Sequence, residues 1–332
     1  MGVDPVCQKP VDEKGAPGGK AEYKGQTYSF IWPLGAIAAL LLLTSGCGPR
    51  GAHFTLPGPR EMWHIHGLAL DPSDAGVLWV ATHTGLVRWQ ENKGWEVAGP
   101  PDDYMGFAVS VSPQGGRLLY RSGHPGHGTQ KPNPLGLEVS RDGWNWETIS
   151  GAGRYDFHAL AVSPADPQII YGYNVFGAAG LYRSQDGGRS WAFLGRPEAW
   201  VYALAAHPRE PMTLLAVTEH GLLVSRRGGE KGSREPLMPG LPVTAVAYHP
   251  SDPHRVLAFA VGDGLMESRD GGRSWERLGL ALGPREVVLY IAPDPSSRRL
   301  FVATSAASVY MSADGGRTWK AMLKEGKEVR AP

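Results

Sequence analysis

The octapeptide Ser184-Gln185-Asp186-Gly187-Gly188-Arg189-Ser190-Trp191 constrains the fold of this chain more than any other stretch, because it returns. It reappears as Ser268-Arg269-Asp270-Gly271-Gly272-Arg273-Ser274-Trp275 and as Ser312-Ala313-Asp314-Gly315-Gly316-Arg317-Thr318-Trp319. A copy one residue shorter begins at Ser140, and a degenerate one at Ser225, where Arg227 stands in for the aspartate. The leading serines at 140, 184, 225, 268 and 312 set a period of 41 to 44 residues. Self-similarity at that period means stacked supersecondary units, and a four-stranded propeller blade is the unit of that length.

The repeated stretch has the chemistry of a turn. An aspartate that hydrogen-bonds its own backbone is followed by glycines that accept positive φ, and the Ser or Thr hydroxyl and the Trp can pin the turn to a blade. The stretch resembles the Asp-box (BNR) repeat, Ser-x-Asp-x-Gly-x-Ser/Thr-Trp, of sialidases, sortilin-type receptors, photosystem II assembly factors and bacterial lipoproteins labelled glycosyl hydrolases. The resemblance implies that each box joins the two outer strands of a blade, on the face away from the binding site. The boxes are therefore read as structural, and their aspartates as part of a buried turn network.

The chain has 332 residues, 42% of them hydrophobic, enough for one large repeat domain with additions. A net charge of +1 supplies no basic field, so nucleic acid is excluded as a partner. The 45 glycines and 28 prolines suit many short strands joined by tight turns. Both cysteines, Cys7 and Cys47, precede the repeats, which leaves the repeat domain without a disulfide or a thiolate site.

Four segments divide the chain. Residues 1–30, with Asp4-Pro5-Val6-Cys7 and Tyr23 to Phe30, resemble the first half of a YHS domain, a module that accompanies heavy-metal transport proteins. Gln8-Lys9 after Cys7 and Ile31-Trp32 after Phe30 depart from that family, and the half that would supply further thiols is missing. A lone thiol is a poor metal site, so a fused fragment or an upstream start codon is the expectation. Residues 31–47 form an apolar run, too short to span a bilayer comfortably, that ends in small residues and Cys47. Leu43-Thr44-Ser45-Gly46-Cys47 resembles a bacterial lipobox with its leucine one place early. The resemblance implies export and lipidation of Cys47, hence a periplasmic or cell-surface lipoprotein. Residues 48–62 read as a Pro/Gly tether, 63–325 as the repeat domain and 326–332 as a tail.

Within the repeat domain six units can be laid out. Each opens on an inner strand closed by proline, such as His66 to Pro72, Phe107 to Pro113 or Ala245 to Pro250. An apolar second strand, a third such as Gly221-Leu222-Leu223-Val224-Ser225, the turn and a fourth strand follow. The expectation is an all-β, six-bladed β-propeller of four-stranded antiparallel blades. A seventh blade would need strands from residues 48–62 or from the tail.

Function then becomes a question about one rim. Loops entering the inner strands, and those joining second to third strands, open on the same side of a propeller. They carry His64, His66, His83, His124, His127, His158 and His220, seven of the eleven histidines. They also carry Asp102, Asp103, Met105, Asp156, Glu198, Trp200, Tyr202, Glu219, Asp263, Arg285 and Glu286. His207 and His249 fall in the opposite turns. His64, His66, His83, His124 and His158, with Asp156, suit Zn or Cu, for which imidazole is a common ligand. Met105, His127, Trp200, Tyr202, His220 and Asp263 would complete a site for a small polar ligand. A glycosidase is the alternative, with Asp103, Asp156 and Glu219 as its carboxyls. A sialidase proper is disfavoured, since no Arg-Ile-Pro occurs and the rim arginines, Arg121, Arg154 and Arg285, do not fall at the places of its arginine triad. A third alternative is a protein-binding scaffold that uses Trp200 and Tyr202. The leading expectation is an exported, lipid-anchored propeller whose histidine-rich rim binds a metal ion or a small polar ligand.

Overall fold

A computed structural model describes residues 64–329, apart from Pro113 and Glu198, together with the backbone of four short strands nearer the N-terminus. The chain divides into two compact units, residues 1–55 with 282–286, and residues 56–281 with 287–332. In the first unit, β1 (Gly2–Val3) pairs with β2 (Pro10–Val11), and β3 (Lys20–Tyr23) pairs with β4 (Gln26–Ser29), both antiparallel. Cys7, Cys47 and the lipobox-like and tether segments lie outside the described residues.

The second unit is a six-bladed β-propeller whose blades are antiparallel sheets of consecutive strands. The first blade comprises β5 (Ile65–Asp71), β6 (Asp74–Thr82), β7 (Gly85–Gln90) and β8 (Gly94–Val97). The second comprises β9 (Asp103–Val111), β10 (Arg117–His124), β11 (Leu137–Ser140) and β12 (Glu147–Ser150). The third comprises β13 (Phe157–Val162), β14 (Ile170–Asn174), β15 (Gly180–Ser184) and β16 (Ala192–Phe193), and the fourth β17 (Val201–Ala206), β18 (Leu214–Thr218), β19 (Gly221–Ser225) and β20 (Arg234–Pro239). The fifth opens on β21 (Val243–His249) and the sixth on β25 (Val288–Pro293). The sixth sheet also takes a fifth strand, β29 (Lys327–Glu328), from residues read in the sequence as tail.

The core lies between blades. Trp79, Leu86 and Ala98 of the first blade pack on Tyr104 and Leu119 of the second. Ile65, Leu78 and Val80 pack on Phe301, Val309 and Leu323 of the sixth, which closes the ring. Ring closure covers the sheet edges that an open stack would leave free to pair with other chains.

The repeated turns sit between the third and fourth strands of five blades. In the third blade the Ser184 hydroxyl accepts the buried Gly188 N–H at 2.8 Å, and Asp186 accepts the Ser190 N–H and hydroxyl at 2.9 and 2.5 Å. The same bonds recur at Ser268 with Asp270 and at Ser312 with Asp314. At Ser225 the serine bond to Gly229 survives without the aspartate. The aspartates are only partly covered and the serines are buried, so the buried half of this network belongs to the hydroxyl, against the sequence expectation. The second glycine of each turn explains the spacing. A Cβ on Gly188 would meet Leu137 of the preceding blade at 2.3 Å, on Gly272 Leu237 at 2.9 Å and on Gly316 Leu278 at 2.7 Å. Each turn therefore also seats its blade against the one before.

Candidate functional site

The pairing of first and second strands slips at one residue near the start of every blade. The skipped residues are His66, Met105, His158, Tyr202, Thr244 and Leu289. A bulge inserts an unpaired residue and re-aims its side chain, and six-fold repetition sets these six around one end of the channel. His66, His158, Tyr202 and Leu289 line the central cavity of about 200 Å³, which continues over Leu68, Phe107, Leu160, Leu204, Val246 and Ile291. Two imidazoles therefore stand at the mouth of a channel whose other lining side chains are mostly apolar.

The histidines gather into two neighbouring sets rather than one shell. In the first set His83 Nδ1 lies 3.0 Å from Asp103 Oδ2, and His66 Nδ1 lies 4.0 Å from Asp103 Oδ1. His66 Nδ1 is also 3.0 Å from Met105 Sδ. The His83 ring centroid is 5.7 Å from that of His66 and 6.3 Å from that of His64. His64 holds a positive φ of 56°, a strained backbone for a non-glycine residue. Burial lowers the His66 pKa to about 3, against the pull of Asp103 and with help from His83, His64 and His158, so the ring is neutral at physiological pH. Burial alone would raise Asp103, but the His83 hydrogen bond and the nearby His66, His83 and His124 together hold its carboxyl below the usual range.

In the second set, the ligand atoms of His124, Asp156 and His158 all lie within 4.8 Å of one another. His158 Nε2 is 3.0 Å and His124 Nε2 3.4 Å from the same oxygen, Asp156 Oδ2. Asp156 is 4% exposed, and its Oδ1 is buried without a hydrogen-bond partner. On its far side His124 Nδ1 contacts Asn133 Oδ1 at 2.7 Å. A carbonyl oxygen only accepts, so Nδ1 carries a proton there. In the neutral ring, Nε2 then presents a lone pair to a carboxylate, an arrangement that needs a proton or a cation between them.

Other residues read as rim groups take different places. Arg121 is fully buried inside the second blade, bridging Asp102 at 2.8 Å and Glu138 at 2.7 Å, with its guanidinium over the rings of Tyr104 and Trp146. Asp102 is buried with it and also accepts Lys131 and the Gly126 N–H, so both are structural. The sequence placed both on the rim, and their mutual pairing was not visible in it. Trp200 packs edge-on against Tyr173 in the core between the third and fourth blades. His127, Glu219, His220 and Asp263 are exposed, and Glu198 lies outside the described residues. Of the three carboxyls suited to a glycosidase, Glu219 is solvent-exposed, and Asp103 is held as a charge rather than as a proton donor. Asn133, the residue that fixes the His124 tautomer, was missed because an asparagine in a Pro-rich loop has no distinctive signal.

Neither a scan against protein families nor a search of curated proteins finds a match. Solved structures do share the fold. An ancestral GH74 enzyme superposes with a TM-score of 0.53 at 18% identity, over 82% of this chain and 40% of its own. The GH74 enzyme of Niastella koreensis gives 0.51 at 15% identity, over 79% and 47%. YCF48 bound to a D1 peptide gives 0.47 at 17% identity, over 81% and 82%. The chain thus spans less than half the length of either GH74 enzyme, and at these identities the likeness is one of fold.

Proposed function

We propose that this propeller binds a divalent metal ion, Zn²⁺ or Cu²⁺, through His124, Asp156 and His158 at the mouth of its channel. The observation that carries the reading is the convergence of two imidazole Nε2 atoms on one oxygen of a buried aspartate. A cation there would receive two neutral nitrogens and a carboxylate oxygen, a donor set suited to zinc and copper. It would also remove the opposition between the His124 lone pair and the carboxylate. Asn133 would act as the outer partner that fixes the ring, as such partners do at metal-bound histidines. The remaining coordination positions would be open to water or to a small polar ligand entering from the rim.

The test is metal titration of chelator-treated, tag-free protein by calorimetry. Binding of Zn²⁺ or Cu²⁺ at one equivalent is expected, with affinity reduced at least about tenfold in His158→Ala and Asp156→Asn and unchanged in His249→Ala. A wild-type protein that takes up neither ion at micromolar concentration would end this reading.

The location proposed for this binding is outside the cytoplasm, on a lipid anchor at Cys47. The apolar run and small residues before Cys47 support it, and acyl chains contribute about 0.8 kcal/mol per buried CH₂. Cys47→Ser is expected to release the protein from membranes. Mass spectrometry that finds residues 1–30 in the mature chain would exclude the anchor.

A further inference from the structure

We propose that the same rim holds a second metal site of different chemistry, a cuprous site built from His66, Met105 and His83. His66 and Met105 occupy equivalent bulges in adjacent blades, which turns a nitrogen and a thioether sulfur toward each other across the blade interface. Their separation is 3.0 Å, so the two donor atoms already face each other in contact, and a side-chain shift of about 0.5 Å would open them to the roughly 3.5 Å that metal–ligand distances of about 2.0–2.3 Å set in a tetrahedral site. The His66 and His83 ring centroids are 5.7 Å apart, and an ion about 2 Å from one nitrogen of each ring would set them about 5–6 Å apart.

The electronics point the same way. Thioether is a soft ligand that selects Cu⁺ over Zn²⁺ or Mg²⁺, whereas the His124, Asp156 and His158 set offers a hard carboxylate. Met105 is 8% exposed, so water does not compete for its sulfur, and the channel beyond is lined by Leu68, Phe107 and Leu160. Asp103 Oδ2, 3.0 Å from His83 Nδ1, accepts that proton and leaves Nε2 as the lone-pair nitrogen. The buried Asp103 Oδ1, which has no hydrogen-bond partner, supplies the compensating negative charge beside the site.

The site is independent of the divalent one, and the experiment separates them. The full chain is titrated with Cu⁺ under anaerobic conditions against a chromophoric cuprous chelator, and with Zn²⁺ by calorimetry, in wild type, Met105→Leu and Asp156→Asn. Met105→Leu conserves volume, and its melting temperature verifies the fold. Expected are one Cu⁺ bound by wild type, at least a tenfold loss in Met105→Leu with Zn²⁺ binding unchanged, and the converse in Asp156→Asn. X-ray absorption should show a sulfur scatterer at about 2.3 Å that Met105→Leu removes. Cu⁺ binding that survives Met105→Leu overturns the proposal, as does a wild-type protein that binds no Cu⁺. Equal loss of both metals in Met105→Leu overturns it too, because the two sets would then be one site. Absence of both Zn²⁺ and Cu²⁺ binding with Cu⁺ binding intact would end the divalent reading alone.

Discussion

Ser184 and Asp186 divide the work of the repeated turn. Ser184 is buried and satisfies the buried Gly188 N–H, so Ser184→Ala leaves that donor without a partner. A loss of about 1–3 kcal/mol is expected in urea unfolding. Asp186 meets water, and its carboxyl is held near 2 by the hydrogen bonds of the Ser190 hydroxyl and N–H and of the Ser184 hydroxyl. Asp186→Ala should lower the melting temperature and leave metal binding at the other face untouched. His207 contributes acid sensitivity to the opposite turns, as His249 does, each with a pKa lowered by burial. His207 Nδ1 accepts the N–H groups of Arg209 and Glu210, and burial, outweighing Glu210 and aided by His254 and Arg209, lowers its pKa. A folded-state pKa below the unfolded one gives stability that is present above about pH 6.5 and lost as pH falls below it. His207→Asn keeps an acceptor that does not titrate. The slope of melting temperature against pH below about 6.5 should be shallower in that variant.

The turn and the bulge are the two devices repeated in the blades, and they act on opposite faces. Topology requires this, since first and third strands run in the same direction, so the turns follow the end at which the first strands finish. In the turn, position decides what a glycine does. Gly143 has a φ of +87°, and a Cβ there would lie 2.3 Å from the Ala98 carbonyl oxygen of the first blade. Gly187 has a φ of +72° but meets nothing nearer than 3.4 Å. Gly187→Ala should cost about 1–2 kcal/mol for the left-handed backbone alone. Gly143→Ala should cost distinctly more, because backbone of the neighbouring blade must move, and comparative urea unfolding measures the difference. In the bulge, the inserted residue is free of strand pairing, which lets His, Met, Tyr, Thr and Leu occupy equivalent places without disturbing the sheets.

Closure of the ring rests on packing and on Arg299. This side chain donates to Asp294 at 2.8 Å within the sixth blade, and to Glu91 at 3.2 Å and the Ala75 carbonyl at 2.8 Å in the first. The Asp294 side chain is fully buried. Arg299→Ala removes the cation from that carboxylate but leaves it the Ser296 N–H and hydroxyl and the Ser297 hydroxyl, so a loss of about 1.5–3 kcal/mol, that of a hydrogen bond to a charged group, is expected. Equilibrium unfolding of Arg299→Ala against wild type measures it. Arg121 pairs instead within a single blade, the second, where Asp102 and Glu138 enclose it. Among the described residues, arginines likewise meet buried carboxylates at Arg255 with Glu267 within the fifth blade and at Arg117 with Asp71 between the second and first.

The propeller and the number and order of its blades were legible in the chain because turn chemistry is local. Ser, Asp, Gly and Trp at fixed offsets specify one backbone path wherever they occur, and proline and strand alternation mark the remaining boundaries. The side of the ring that carries the histidines was legible for the same reason, since loop order in a blade fixes the face. Local pattern could not say which of those histidines meet. That depends on bulges, which shift a side chain without altering the residue pattern, and on the rotation between neighbouring blades. His66 meets Met105 from 39 positions away, and His124 meets His158 across a blade boundary, because packing of the sheets sets those distances. Arg121 looked like a rim cation for the converse reason: burial of a charge is decided by partners such as Asp102 and Glu138 that only the folded sheet brings to it.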